Sequence, residues 1–221
     1  METPSPHRRV RSFVRRAGRL TTGQRRALDE LWPRWGIDPP DGSLDLAAPF
    51  DRDAPAVLEI GFGDGEVLLE TAARHPEWNC LGVEVHEPGI GHCLLGIEQR
   101  DLENLRLINT DAIDVLGKWL APGSIARVHL FFPDPWHKKR HHKRRLVQPA
   151  FVDLVARVLA PGGWLRMATD WAPYAEHMLQ VMGERGDFSA ADDDFQRPLT
   201  KFEQRGRRLG HEISEFAFRR R

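Results

Sequence analysis

This sequence predicts an α/β chain built on a mostly parallel sheet with helices on both faces. Three observations carry that prediction. From residue 56 onward, short apolar runs alternate with amphipathic stretches at the spacing of βαβ units. A glycine-rich turn, Gly61-Phe62-Gly63-Asp64-Gly65, follows the first apolar run and precedes a helical stretch. Nearly every apolar run also ends in a carboxylate, which stability alone does not require. A chain of 221 residues, 41% of them hydrophobic, suits one sizeable domain with an appendage.

Residues 1–45 read as a basic N-terminal extension with a helix, and 46–221 as the α/β domain. The first 26 residues carry Arg8, Arg9, Arg11, Arg15, Arg16, Arg19, Arg25 and Arg26 against a single acid, Glu2. Thr21 or Thr22 can cap a helix over about 23–32, where Ala27, Leu28 and Leu31 share a face. Residues 36–55, rich in Pro, Asp and Gly, read as a loop. Strands are expected over 56–61, 80–85, 105–108, 126–132 and 164–169, with a late strand over 212–218. Helices are expected over 66–74, 88–100, 147–159 and 173–184.

Acids and bases balance at 32 each, so the distribution of charge matters more than its sum. Cys80 and Cys93 have no ligand-like spacing, which points to a reduced, cytoplasmic protein without zinc or disulfides. No apolar run reaches the ~18 residues that span a bilayer. The basic N-terminus has no apolar segment behind it, so no secretory signal is expected.

In parallel sheets, ligands bind over the carboxyl ends of the strands. A dinucleotide fingerprint would place Gly or Ala at position 66, where this chain has Glu66. An acid there repels phosphate and suits a ligand with a cationic centre. Glu84 ends the second strand and can accept both hydroxyls of a ribose. Asp111 follows the third and can accept an adenine amine or cap the next helix, and the two roles can coexist. Gly61, Gly63, Glu84 and Asp111 together imply S-adenosylmethionine, with Glu59 on its amino group, directly or through water.

The stretch FFPDPWHKKRHHKRR, residues 131–145, holds Asp134 between two prolines that restrict its backbone. A rigid carboxylate beside Trp136 suits recognition of a nucleobase. The following cations, among them Lys138, Arg140, Lys143, Arg144 and Arg145, suit phosphate contacts, with His137, His141 and His142 facing phosphate rather than a metal ion. A solvated basic loop is the plainer reading of that run. Thr200 and Glu203 fit a capping box, and Asp170 ends the fifth strand at the same rim.

Six segments resemble the bacterial tRNA (guanine-N7)-methyltransferases over about residues 11 to 218. They are RSFVRR (11–16), LEIGFG (58–63), GVEVHEPGIG (82–91), FPDPWHKKRHHKRR (132–145), ATDW (168–171) and RPLTKFEQRG (197–206). Asp64 departs from the uncharged residue common there. The resemblance implies a Rossmann-like class I methyltransferase fold with a seven-stranded sheet. It implies S-adenosylmethionine bound by Glu59, Glu84, Asp111 and Asp134. It further implies guanine 46 of the tRNA variable loop as target, and the chain is expected to be a monomer or homodimer. Substrate contacts are expected from Lys138, Asp170 and the segment Thr200, Lys201, Phe202, Glu203. The tRNA contacts are expected from Arg140, His141, His142, Lys143, Arg144 and Arg145. Asp134 is the expected catalytic residue, and either Asp170 or Glu203 would read the guanine edge. A non-catalytic RNA-binding protein on the same scaffold would not need the cofactor residues, and a small-molecule or protein methyltransferase would not need the basic run.

Overall fold

The computed structural model describes residues 12, 13, 18–200, 203, 204, 210 and 212–221. Its centre is an eight-stranded sheet of order β1-β4-β3-β2-β5-β6-β8-β7. The strands are β1 (Gly36–Ile37), β2 (Ala56–Ile60), β3 (Asn79–Val83), β4 (Leu105–Ile108), β5 (Ile125–Phe131), β6 (Leu159–Thr169), β7 (Phe188–Ala190) and β8 (Ser214–Arg220). The pairs from β1 to β6 are parallel, and β8 runs antiparallel to both β6 and β7. The chain winds outward from β2 through β3 to β4, then returns to β5 and β6 on the other side. The switch point is therefore the β2–β5 crevice, where such sheets bind ligands.

Helices α1 (Thr22–Glu30), α2 (Trp32–Trp35), α3 (Glu66–Arg74), α4 (Glu87–Arg100), α5 (Ala112–Asp114), α6 (Pro149–Val158) and α7 (Ala172–Gly183) cover the sheet. Thr21 caps α1: its hydroxyl accepts the Gln24 N–H, and the Gln24 side chain accepts the Thr21 N–H. Alternate residues of β3 face opposite layers. Cys80 joins the cluster of α1, α3 and α4 with Ala27, Leu68 and Leu94, whereas Leu81 and Val83 join Val152, Val155 and Met178 of α6 and α7. Both cysteines are buried free thiols.

The sheet has eight strands rather than the expected seven, because two short strands, β1 and β7, join the six read from the sequence. β1 lies in the stretch read as a loop. The Trp35 indole N–H donates to the Leu102 carbonyl at 3.0 Å and seats Gly36–Ile37 against β4. β7 pairs with β8 at the far edge. Strands of two and three residues are too short to show a period. α6 starts at Pro149 rather than 147, because proline takes the first helical position and the Val147 N–H donates to the Tyr174 hydroxyl. Among the described residues no helix is long and apolar enough to cross a membrane.

Candidate active site

The carboxyl ends of β2, β3, β4 and β5 surround a cavity of about 400 Å³, lined by Gly61, Glu84, Asp111, Phe132, Pro133 and Asp134 among others. A second cavity of about 350 Å³ adjoins it at Gly61 and Phe132 and reaches Glu59, Gly63 and Thr200. The glycine turn divides them. Gly61, Gly63 and Gly65 take φ of +71°, +58° and +82°, which side chains rarely adopt. A Cβ on Gly61 or Gly63 would point into open space, so a ligand can approach the backbone there. A Cβ on Gly65 would meet Cys93 Sγ at 2.6 Å, so this glycine lets α3 close on α4.

Glu84 is oriented by main chain on both sides. Its Oε2 accepts the Gly63 N–H at 3.0 Å, while Oε1 accepts the N–H groups of Val85 and His86 at 2.6 and 3.0 Å. The carboxylate thus ties the glycine turn to β3 and still faces the cavity. Asp111 takes the capping role: Oδ1 accepts the Ile113 N–H at 3.0 Å, and the residue also lines the cavity. Glu59 is buried, and its Oε2 has no hydrogen-bond partner among the described residues. Burial pushes its carboxyl up to about 8, against the opposing pull of Arg197.

Asp134 stays exposed on the turn after β5. Its Oδ1 accepts the Trp136 N–H at 3.0 Å across Pro135. Phe132 and Trp136 flank this turn with φ of +52° and +48°. Such backbone costs roughly 1–3 kcal/mol per bulky residue and is typical of sites that must hold one geometry. The Trp136 indole N–H donates to the Ser12 carbonyl at 3.1 Å, which brings Ser12 and Phe13 to the cavity wall.

The basic run forms a 3₁₀ turn over Lys139–Arg144. Lys138, Lys139, Arg140 and Lys143 are exposed. Arg144 lies 4.8 Å from the Trp136 ring centroid, and His141 meets the same indole edge-on at 5.7 Å. Burial, then Arg140 and Arg144, hold the His141 imidazole below its usual range. Arg145 departs from the exterior role expected of it: it is buried, only 4% exposed, and its donors turn inward. His142 faces it, with Nε2 3.2 Å from Arg145 Nη2.

The C-terminal segment brings Thr200 to the second cavity, and the Glu203 N–H donates to its hydroxyl at 3.0 Å. Glu203 is 1% exposed and pairs with Arg197 at 2.7 Å. Arg197 also pairs with Glu215 at 2.6 Å and covers the rings of Phe131 and Phe132 at 5.5 and 5.1 Å. Asp170 remains half-buried at the end of β6. Lys201 and Phe202, like the arginines at 8, 9, 11, 15 and 16, lie outside the described residues. Sequence reasoning missed Arg197, which stood in the quoted RPLT stretch as an unremarked neighbour of the capping box. It also missed the strained Phe132, for which the only local signal is the following proline.

Residues 53–216 match a family described as "Putative methyltransferase". The chain is 55% identical over 222 residues to the tRNA (guanine-N(7)-)-methyltransferase of Alkalilimnicola ehrlichii, covering 97% of this chain and 94% of that one. It is 53% identical over 227 residues to the protein of that name from Alcanivorax borkumensis, covering 100% and 95%. The chain belongs to the tRNA (guanine-N(7)-)-methyltransferase family. Its fold is that of class I methyltransferases. A SAM-dependent methyltransferase from Aquifex aeolicus superposes with a TM-score of 0.54 at 11% identity, over 77% of this chain and 84% of that one. The site of this family member fits S-adenosylmethionine on its own geometry. The unpartnered Glu59 Oε2 can accept from an ammonium, the open space over Gly61 and Gly63 admits the donor against bare backbone, and Glu84 faces the larger cavity.

Proposed function

We propose that this chain transfers a methyl group from S-adenosylmethionine to N7 of guanine in tRNA, at position 46 of the variable loop. The observation that carries the reading is the placement of Asp134. It stands on a strained, proline-flanked turn, at the cavity on one side and continuous with an exposed cationic turn on the other.

Guanine N7 has a lone pair and no proton, so no general base is needed. S-adenosylmethionine supplies an electrophilic methyl group on a sulfonium. The protein's part is alignment and electrostatics. Asp134 faces the purine as it gains positive charge, and so stabilises that charge and orients the base. Glu59, Glu84 and Asp111 hold the donor from the side of β2 to β4. The guanine N1–H and amine would be read by Asp170 or Glu203, the latter also pairing with Arg197 at 2.7 Å. Thr200 lies on the Glu59 side of the cleft, and Lys138 opens the basic turn four residues after Asp134. The exposed Lys139, Arg140 and Lys143 then meet the tRNA backbone.

The test is incubation with labelled S-adenosylmethionine and unmodified tRNA, followed by borohydride–aniline cleavage, which cuts at 7-methylguanosine. One cut in the variable loop is expected. Labelling without that cut would overturn the assigned position, and no labelling would overturn the activity.

A further inference from the structure

Arg145 ends a run of cations that otherwise faces water, yet its guanidinium is buried. Nε donates to the Pro135 carbonyl at 3.0 Å and Nη1 to the Pro173 carbonyl at 3.1 Å. Nη2 lies 3.2 Å from His142 Nε2, and the Tyr174 ring centroid is 4.9 Å from the guanidinium carbon. These partners belong to three separate segments. Pro135 is in the turn that carries Asp134, Pro173 opens α7 just behind Asp170 and Trp171, and His142 is in the basic turn. The neighbours that act on its charge include no carboxylate among the described residues. Burying an unpaired cation is costly, and a neutral donor could join two loops without that cost.

We propose that Arg145 is a positioning residue for methyl transfer: its planar fork locks the Pro135 carbonyl, and with it the Asp134 carboxylate, against the Asp170 rim. It does not grip tRNA phosphate. The geometry explains the choice of arginine. Only a rigid fork spans carbonyls on two loops while stacking on an aromatic face, and a lysine reaches one of them as a point charge. The same fork joins the basic turn to the Asp134 turn, so tRNA seated on the basic turn bears on the orientation of the reacting carboxylate. This inference rests on the proposed role of Asp134, and the experiment separates the two.

Arg145→Lys, Arg145→Gln and Asp134→Asn are compared in the full chain with unmodified tRNA transcript. The readouts are kcat, KM for tRNA, S-adenosylmethionine affinity by calorimetry, and the salt dependence of tRNA binding. Both Arg145 variants should lose about 10- to 100-fold in kcat, the scale of a misplaced reacting group. Their tRNA affinity, salt slope and donor affinity should be unchanged. A normal kcat with raised KM and a salt slope reduced by roughly one would make Arg145 a phosphate contact and overturn the proposal. Recovery of kcat in Arg145→Lys would also overturn it, because charge alone would then suffice. Should Arg145→Gln fail to fold, Arg145→Lys decides alone. Turnover by Asp134→Asn sinks the functional reading, whereas an inactive Asp134→Asn beside a fully active Arg145→Lys sinks only the positioning role.

Discussion

Two carboxylates on neighbouring strands are set apart by their surroundings. Asp134 is exposed on a rigid turn, so replacing it should leave the fold intact. Asp134→Asn is expected to cut kcat by about 10²- to 10³-fold, as losing one preorganised charge-stabilising group does, with an unaltered melting temperature. Near-normal turnover would end its assignment as catalytic residue. Glu59 is the buried counterpart. The unfolded chain releases its proton near 4.5 and the folded chain only near about 8. Between those values the folded state binds the additional proton, so Glu59 makes stability fall as pH rises, by about 1.4 kcal/mol per unit. Glu59→Gln should remove that slope in denaturant titrations run from pH 5 to pH 8 without ligand, and an unchanged slope would refute the burial argument. An ammonium bound against Glu59 favours its ionised form, so S-adenosylmethionine should oppose the trend in the native chain and not in the variant. Both residues were legible as strand-end acids. Their different environments were not, because burial depends on what α3 and the C-terminal segment lay over each position.

At the scale of elements, the glycine turn and the basic turn were both readable from local chemistry. Positive φ is a property of residue type, and a run of cations is visible without a structure. The division of labour inside the basic turn was not readable. Arg144 and Arg145 are adjacent in sequence, but one covers Trp136 from the surface and the other is buried behind the Asp134 turn. Lys139, Arg140 and Lys143 remain exposed, and in the proposed reading they are the ones that meet phosphate. Replacing these three with alanine should raise the tRNA KM and lower the slope of log affinity against log salt by roughly two to three. S-adenosylmethionine affinity should stay unchanged. A slope that does not move would return the turn to a solvated loop. Helices α1 and α2 and strand β1 are likewise tied down by contacts distant in sequence. α1 joins α4 through Arg26–Glu98 at 2.6 Å, and Trp35 anchors β1 beside β4.

Across the whole molecule, the connector between β7 and β8 links the far edge of the sheet to the catalytic cleft. Asp193, whose side chain is fully buried, pairs with Arg127 of β5 at 2.7 Å and Arg166 of β6 at 3.2 Å. From that anchor the chain runs to Arg197, Thr200 and Glu203. Asp193→Ala removes the buried carboxylate shared by two largely buried guanidinium groups. It leaves Arg127 the exposed Asp194 at 3.8 Å and Arg166 the partly exposed Glu215 at 3.4 Å. The change is expected to cost about 3 kcal/mol in denaturant unfolding. It should also weaken S-adenosylmethionine binding at the Glu59 side. A loss under about 1 kcal/mol, the range of an exposed pair, would show that the anchor is dispensable. Local sequence was enough to place the six longer strands and the main helices, the glycine turn, the strand-end acids and Asp134 between its prolines. Each of these is encoded by local periodicity, by φ preference or by position at a strand end. Tertiary contacts alone reveal that Arg197 pairs with the buried Glu203, that Arg145 turns its donors inward, and that two short strands complete the sheet. Most of those outcomes depend on segments distant in the chain, as Arg145 meets Pro173 across 28 residues and Trp35 meets Leu102 across 67, while the Arg197–Glu203 pair depends on burial. No local pattern carries that information.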